Sequence, residues 1–264
     1  MLPTWMKFLI GYEMNKPKII LYDLEVSQAI VGGYGSKWEF KVIKVIRPQM
    51  LMSYSWKFLG EKNVHFSHMH GYKTYKEFVE SLSKTLAQAD VIVAHNGINF
   101  DDKMANTFFI TEGVELPPPY KSIDTCRVAR QKLKFPSNSL NDLGEYLGVG
   151  KKEKITYADV EDDFMSDNPS WKSIKQLEKY NNKDVKLLEA VYLKLRPLIT
   201  NHPNMAVRGD SDGCPKCGSH NGNYRGFAYS NTTIYRRIRC MDCGGWYRER
   251  MQDKDVQNKP EYVN

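Results

Sequence analysis

The stretch Ile19-Ile20-Leu21-Tyr22-Asp23-Leu24-Glu25 constrains this chain more than any other. Apolar and aromatic residues follow one another without alternation, the pattern of a strand covered on both faces, and they run into an acid, a spacer and a second acid. At a two-residue period Asp23 and Glu25 point to the same side of that strand. Two carboxylates at the end of a buried strand repel each other and are costly to desolvate, so the pair calls for a cation between them. A lone Asp-x-Glu is more often a strand that ends in solvated acids. The reading therefore depends on whether the chain supplies further carboxylates.

The chain around this strand reads as α/β. Residues 30–34 and 38–45 are short extended pieces joined at Gly32-Gly33 and Gly35, and 50–59 is a further apolar strand. A turn at 60–63 leads to 64–66, completing an antiparallel meander. His65, His68 and His70 read as ordinary strand-end and loop histidines, because no acids or cysteines adjoin them. Thr74 opens a helix carrying Phe78, Leu82 and Leu86 at four-residue spacing, and Val91–Ala94 is a second short buried strand. Strand, meander, helix and strand in this order predict a sheet of mixed direction flanked by helices. Beyond a proline-closed loop, 122–125 leads into a helix at 128–133, and 139–147 is a compact helix with Gly148 and Gly150 behind it. Lys151, Lys152 and Lys154 form a basic loop. Asn168-Pro169-Ser170 then precedes a long helix over 171–195, stopped by Pro197.

Further acids do occur at the right places. The second strand empties into His95-Asn96-Gly97-Ile98-Asn99-Phe100-Asp101-Asp102, where a new helix begins beside the C-terminal end of a strand, the edge at which open α/β sheets place their sites. Alone, Asp101 would be a helix N-terminal acid stabilised by the dipole. Asp102 competes with it; Phe100 is expected to point into the core and leave Asp101 at the site. On the long helix Tyr180 and Asp184 are four apart and share one face, with Leu187, Leu188 and Val191 packing on the sheet.

Asp23-x-Glu25, Asn96-x-x-x-Phe100-Asp101 and Tyr180-x-x-x-Asp184, in this order, resemble the three exonuclease motifs of the DEDD superfamily. These are the ribonuclease-H-like 3′-5′ exonucleases that include polymerase proofreading domains. Tyr180, with Lys179 where the other branch has histidine, is similar to the tyrosine branch (DEDDy), and the Asn-x-x-x-Phe-Asp spacing resembles the family-B polymerase domains. The resemblance implies a ribonuclease-H-like mixed sheet over residues 17–200. It also implies that Asp23, Glu25, Asp101 and Asp184 hold two Mg²⁺ or Mn²⁺ ions, with Tyr180 orienting the attacking water. The products would be nucleoside monophosphates released from DNA, single-stranded or at a 3′ end. An exoribonuclease and a non-catalytic nucleic-acid-binding protein are the alternatives.

Cys214-Pro215-Lys216-Cys217-Gly218 and Cys240-Met241-Asp242-Cys243-Gly244 are two C-x-x-C-G knuckles separated by 22 residues. This spacing reads as a closed four-cysteine zinc ribbon over 207–250, holding one structural Zn²⁺, and it favours a reducing compartment, by default the cytoplasm. Cys126 is left over as a core residue. Arg225, Tyr235, Arg236, Arg237, Arg239, Trp246 and Arg248 interleave arginine with aromatics, which suits single-stranded nucleic acid. A replication or repair protein docking on the ribbon is the competing partner. The net charge of +7 agrees with a polyanionic partner. With 41% hydrophobic and 26% charged residues the composition excludes wholesale disorder, and no apolar run reaches membrane-spanning length. Residues 1–16 read as an N-terminal extension without a signal-peptide pattern, and 251–264 as a polar tail.

Overall fold

A computed structural model describes residues 17–36, 39–152, 157–206 and 213–251. The N-terminal extension, Trp38, Lys154, the first residues of the expected ribbon and all of the tail beyond Met251 lie outside the described residues. The chain forms two compact units, one spanning Lys18–Leu195 and a second that begins at Arg196.

The first unit is built on a five-stranded mixed sheet. Its strands are β1 (Ile19–Val26), β4 (Leu51–Phe58), β5 (His65–His68), β6 (Val91–Ala94) and β7 (Lys121–Asp124), in the order β5-β4-β1-β6-β7. β1 lies at the centre, antiparallel to β4 and parallel to β6. Its side chains alternate between two helical layers. Ile20, Tyr22 and Leu24 enter a core with Phe78, Val79, Leu82 and Leu86 of α1 (Tyr75–Leu86) and with Ala105, Phe108 and Phe109 of α2 (Asp101–Thr111). Residues of the other parity face α6 (Trp171–Leu195), which packs across β1 and β4. Cover on both faces is why the strand reads as one continuous apolar run.

Specific polar ties fix α6. The buried Lys57 of β4 pairs with Glu189, Gly60 N–H donates to the same carboxylate at 2.8 Å, and Ser55 Oγ donates to Asn182 at 2.8 Å. Removing one partner of the Lys57–Glu189 pair would strand a buried charge. Helices α3 (Thr125–Lys132), α4 (Leu140–Tyr146) and α5 (Tyr157–Phe164) surround α6. Side chains cap α1, α3 and α4: Thr74 accepts from Glu77 N–H, Asp124 from Cys126 and Arg127 N–H, and Ser139 from Asp142 N–H.

The structure departs from the sequence reading in two places. The meander is interrupted, because among the described residues β2 (Ile30–Gly35) and β3 (Phe40–Arg47) pair with each other and with no other strand. Ser27 N–H to Met50 O at 2.8 Å and Met50 N–H to Ser27 Oγ at 3.0 Å close the base of this hairpin and pass the chain directly from β1 to β4. The buried side chains of β4, Leu51, Met52 and Tyr54, fill the core, while Val42, Ile43, Val45 and Ile46 of β3 stay exposed. Second, α5 stands on a stretch for which the sequence reading names no element. Its Val160 and Phe164 are buried against Met52 and Leu177, a helical spacing obscured by four acids within 159–163.

In the second unit β8 (Gly222–Tyr229), β9 (Ile234–Cys240) and β10 (Trp246–Arg250) form an antiparallel sheet in the order β10-β9-β8. Among the described residues its buried ones are few: Ile199, Ala206, Gly213, Cys214, Ile238, Cys240 and Gly245. Among the described residues no helix is long and apolar enough to cross a membrane.

Candidate active site and metal centres

The C-terminal half of β1 carries Asp23 and Glu25 on the face turned to α6. Asp184, three helical turns before the end of α6, comes from the other side. Ligand oxygens of Asp23, Glu25 and Asp184 all lie within 4.8 Å of one another. Glu25 and Asp184 are buried, and Asp23 keeps a partly exposed edge. Asn181, one turn before Asp184, donates from Nδ2 to Asp23 Oδ2 at 2.7 Å and so locks helix to strand at the site.

Asp101 comes to the edge of this cluster through a tight turn, outside the three acids whose oxygens lie within 4.8 Å of one another. Asn96 adopts φ 62°, and a Cβ on Gly97 would lie 2.5 Å from Ala94 Cβ, so the chain can reverse here only with glycine. The turn is held by Asn96 N–H to Asp124 Oδ1 at 2.9 Å, which gives Asp124-Thr125 a structural part. α2 then starts at Asp101, whose carboxylate is buried and accepts from Leu24 N–H at 3.2 Å, between the two acids of β1. Asp102 turns the other way, accepting from Tyr22 OH at 2.7 Å and Ser122 Oγ at 3.0 Å. Phe100 is not in the core. It caps α2 at 40% exposure, because the turn ends with its side chain outside the sheet.

The electrostatics are those of an overloaded anionic site. Burial, and then Glu25, Asp101 and Asp184, push the Asp23 carboxyl well above its ordinary range. Burial pushes Glu25 up to about 7 against the hydrogen bond from Tyr157, with Asp184 adding to the rise. Burial likewise takes Asp101 to about 7 against the Leu24 N–H. Burial raises Asp184 too, opposed by Lys152. Among the described residues the buried Asp184 Oδ1 has no hydrogen-bond donor. Closely set acids with an orphan acceptor fit hard divalent cations, which take oxygen ligands.

Three further groups complete the site, two of them not identified from sequence. Lys152 donates to Asp184 and lies 3.4 Å from Tyr180 OH, its ammonium 5.3 Å over the Tyr180 ring. Burial works against its charge, but Asp184 and Asp23 outweigh burial and hold the ammonium protonated. Tyr157 donates to Glu25 at 2.7 Å and its ring meets that of Tyr180 edge-on at 6.1 Å. Tyr180 is partly exposed, and burial and Asp184 keep its hydroxyl protonated. His95 serves structure, bridging Thr125 and the Asn138 carbonyl, and burial lowers it to about 4. His65 stacks on Trp56, and His70 bonds the Phe164 carbonyl.

In the second unit Cys214, Cys217, Cys240 and Cys243 bring their sulfurs within 4.8 Å of one another, with pairs at 3.7 and 3.6 Å. Four thiolates at 2.3 Å from a tetrahedral zinc would stand about 3.8 Å apart, whereas a disulfide needs about 2 Å. Gly218 and Gly244 each follow a knuckle at φ 75° and 71°, and their N–H groups return to Cys214 and Cys240 carbonyls. The cluster is consistent with a small zinc module. Of the interleaved residues, Tyr235, Arg237, Arg239, Trp246 and Arg248 share one sheet face. Arg236 lies on the other face beside Glu249 at 3.8 Å, and Arg225 sits in a bulge of β8.

No curated protein matches the sequence. A family model for the RNase_H superfamily matches residues 49–196, more than half the chain, from β4 through α6 with Asp101, Tyr180 and Asp184 inside the match. Members of that superfamily are in general nucleases that employ divalent metals on nucleic acids. With a central mixed sheet, flanking helices and acids converging at the end of its middle strand, this chain belongs to the RNase_H superfamily.

Proposed function

We propose that the chain is a metal-dependent 3′-5′ exonuclease of the tyrosine-containing DEDD type, removing nucleoside monophosphates from the 3′ end of DNA. The observation that carries this reading is the convergence of Asp23, Glu25 and Asp184 within 4.8 Å, with Asp101 bonded to the backbone between the two β1 acids. These four carboxylates would hold two Mg²⁺ or Mn²⁺ ions. Bound there, such ions stabilise the charge that develops on the attacking and leaving oxygens of an in-line displacement.

The chain's own residues set the geometry. Asn181 and Tyr157 fix Asp23 and Glu25 against rotation, so the acids keep their places before substrate arrives. Tyr180, protonated and beside Asp184, offers a neutral O–H to orient the attacking water; as a base it would be poor. Lys152 offers a positive charge to the scissile phosphate. Water supplies the oxygen that bonds to phosphorus, the P–O3′ bond breaks, and the 3′ oxygen of the shortened strand takes up a proton. The four-cysteine cluster would hold a structural Zn²⁺, which suits a reducing compartment such as cytoplasm. Asp184→Ala tests the assignment: Mg²⁺-dependent cleavage should be abolished with zinc content unchanged, and wild-type turnover by this variant would refute it.

A further inference from the structure

The outer face of the three-stranded sheet carries a charge pattern, in which Arg237 Nε also donates to the Arg225 carbonyl of β8 at 3.0 Å. Strand pairing sets Asn223 beside Arg239 and Trp246, Arg237 beside Arg248, and Ala228 beside Tyr235 and Arg250. These rows alternate with Tyr224, Ile238 and Tyr247 and with Phe227, Arg236 and Glu249, which belong to the opposite face. On β9 and β10 exposure follows the same alternation, with Arg237, Arg239, Trp246, Arg248 and Arg250 exposed, Ile238 buried and Tyr247 and Glu249 half-buried, while β8 is mostly exposed on both faces. Among the described residues the outer face holds four arginines and no acid.

Arg237 stands directly opposite Arg248, and like charges paired across a sheet are destabilising. Each is laid against a ring, Arg237 5.6 Å from Trp246 and Arg248 4.9 Å from Tyr235. Guanidinium groups held against rings lose little freedom when they meet a phosphate, and their forked donors match its oxygens. Neighbours on one strand are about 6.6 Å apart and adjacent strands about 4.8 Å, so the four guanidiniums make a compact block. Trp246, 49% exposed, offers a flat apolar platform at its edge.

We propose that this face binds single-stranded nucleic acid, with Arg237, Arg239, Arg248 and Arg250 on phosphates and Trp246 stacking on a base. The choice of partner rests on the proposed nuclease function; the surface does not. A polyanion relieves the arginine repulsion, and an exposed ring beside the block needs an unpaired base, which a duplex keeps inside its stack.

Binding by the full-length chain carrying Asp184→Asn, with zinc retained, separates this proposal from the catalytic one. Single-stranded DNA, single-stranded RNA of matched sequence and duplex DNA are titrated across a range of salt. The triple variant Arg239→Gln, Arg248→Gln, Arg250→Gln should weaken single-strand binding, and its salt dependence should fall by a slope of about 2, at roughly 0.7 per lost phosphate contact. Trp246→Leu should weaken binding about tenfold or more with the slope unchanged. Arg236→Gln, on the opposite face of the same sheet, should change neither. Wild-type affinity and slope in the triple variant, an equal loss from Arg236→Gln, or tighter binding of duplex than of single strands would each overturn the proposal. The nuclease reading stands or falls separately on cleavage by the wild-type chain.

Discussion

Removing one acid should stabilise this protein while destroying its response to metal. At an effective dielectric of about 20, two carboxylates about 5 Å apart repel by roughly 3 kcal/mol. Asp23 has two such neighbours, Glu25 and Asp184, and the Lys152 ammonium offsets part of that repulsion. Without a divalent ion, Asp23→Asn should therefore raise stability by about 1–3 kcal/mol, or about 2–10 °C in Tm for a unit of this size. Asn181 can still donate to the new amide oxygen, so the packing survives. The gain also has a pH signature. Glu25 is pushed from its ordinary 4.5 to about 7, so between those values the folded chain holds a proton that the unfolded chain has released. Metal-free stability accordingly falls as pH rises from about 4.5 to about 7, and this fall should be shallower in the variant. Added Mg²⁺ should raise the wild-type Tm above pH 7 and leave Asp23→Asn nearly unmoved. Calorimetry of both chains, with and without Mg²⁺, measures all of this. A variant less stable than wild type in the metal-free state, or one with an undiminished Mg²⁺ shift, would refute the view that the site is a repulsive cluster awaiting cations.

Two further substitutions address the groups beside the acids. Tyr180→Phe should keep the Mg²⁺-induced gain in Tm and lose rate by about 10²–10⁴-fold, the usual scale for a group that positions or transfers a proton; a full rate would reduce Tyr180 to packing. Lys152→Met should lower kcat by about 10²–10³-fold, as loss of one charge-stabilising donor does, with KM little changed. It should also lower metal-free stability, since it removes an ammonium bonded to Asp184; an unchanged Tm would contradict that balance.

The parts of the site that were legible in sequence are those whose local pattern is also their tertiary role. β1 shows its acids because a strand buried on both faces tolerates charge only for a reason, and α6 shows Tyr180 and Asp184 because four residues on a helix make one face. Lys152 was hidden. It reads as one lysine among three in a loop, and only the folding of that loop onto α4, through Lys152 N–H to Asn141 Oδ1 at 3.0 Å, carries its ammonium to Asp184, 32 residues away. Tyr157 was hidden by Asp159, Glu161, Asp162 and Asp163, which give α5 the composition of a surface loop although Val160 and Phe164 are buried. Phe100 misled because hydrophobicity predicts burial, whereas a residue capping a helix after a left-handed turn faces wherever the turn leaves it. The β2–β3 hairpin misled for the same kind of reason: β propensity identifies strands and says nothing of which strands pair.

The central claim, that acids gathered at the end of β1 hydrolyse a strand from its 3′ end with divalent metal, is tested most directly by end-labelled cleavage. The account predicts that, with Mg²⁺ or Mn²⁺, a 5′-labelled single-stranded oligonucleotide shortens in one-nucleotide steps. The same oligonucleotide labelled at its 3′-terminal nucleotide should release labelled mononucleotide from the first turnover, and neither reaction should occur with Asp184→Ala. Internal fragments from the outset, mononucleotide released first from the 5′ label, or cleavage that persists in Asp184→Ala would contradict it.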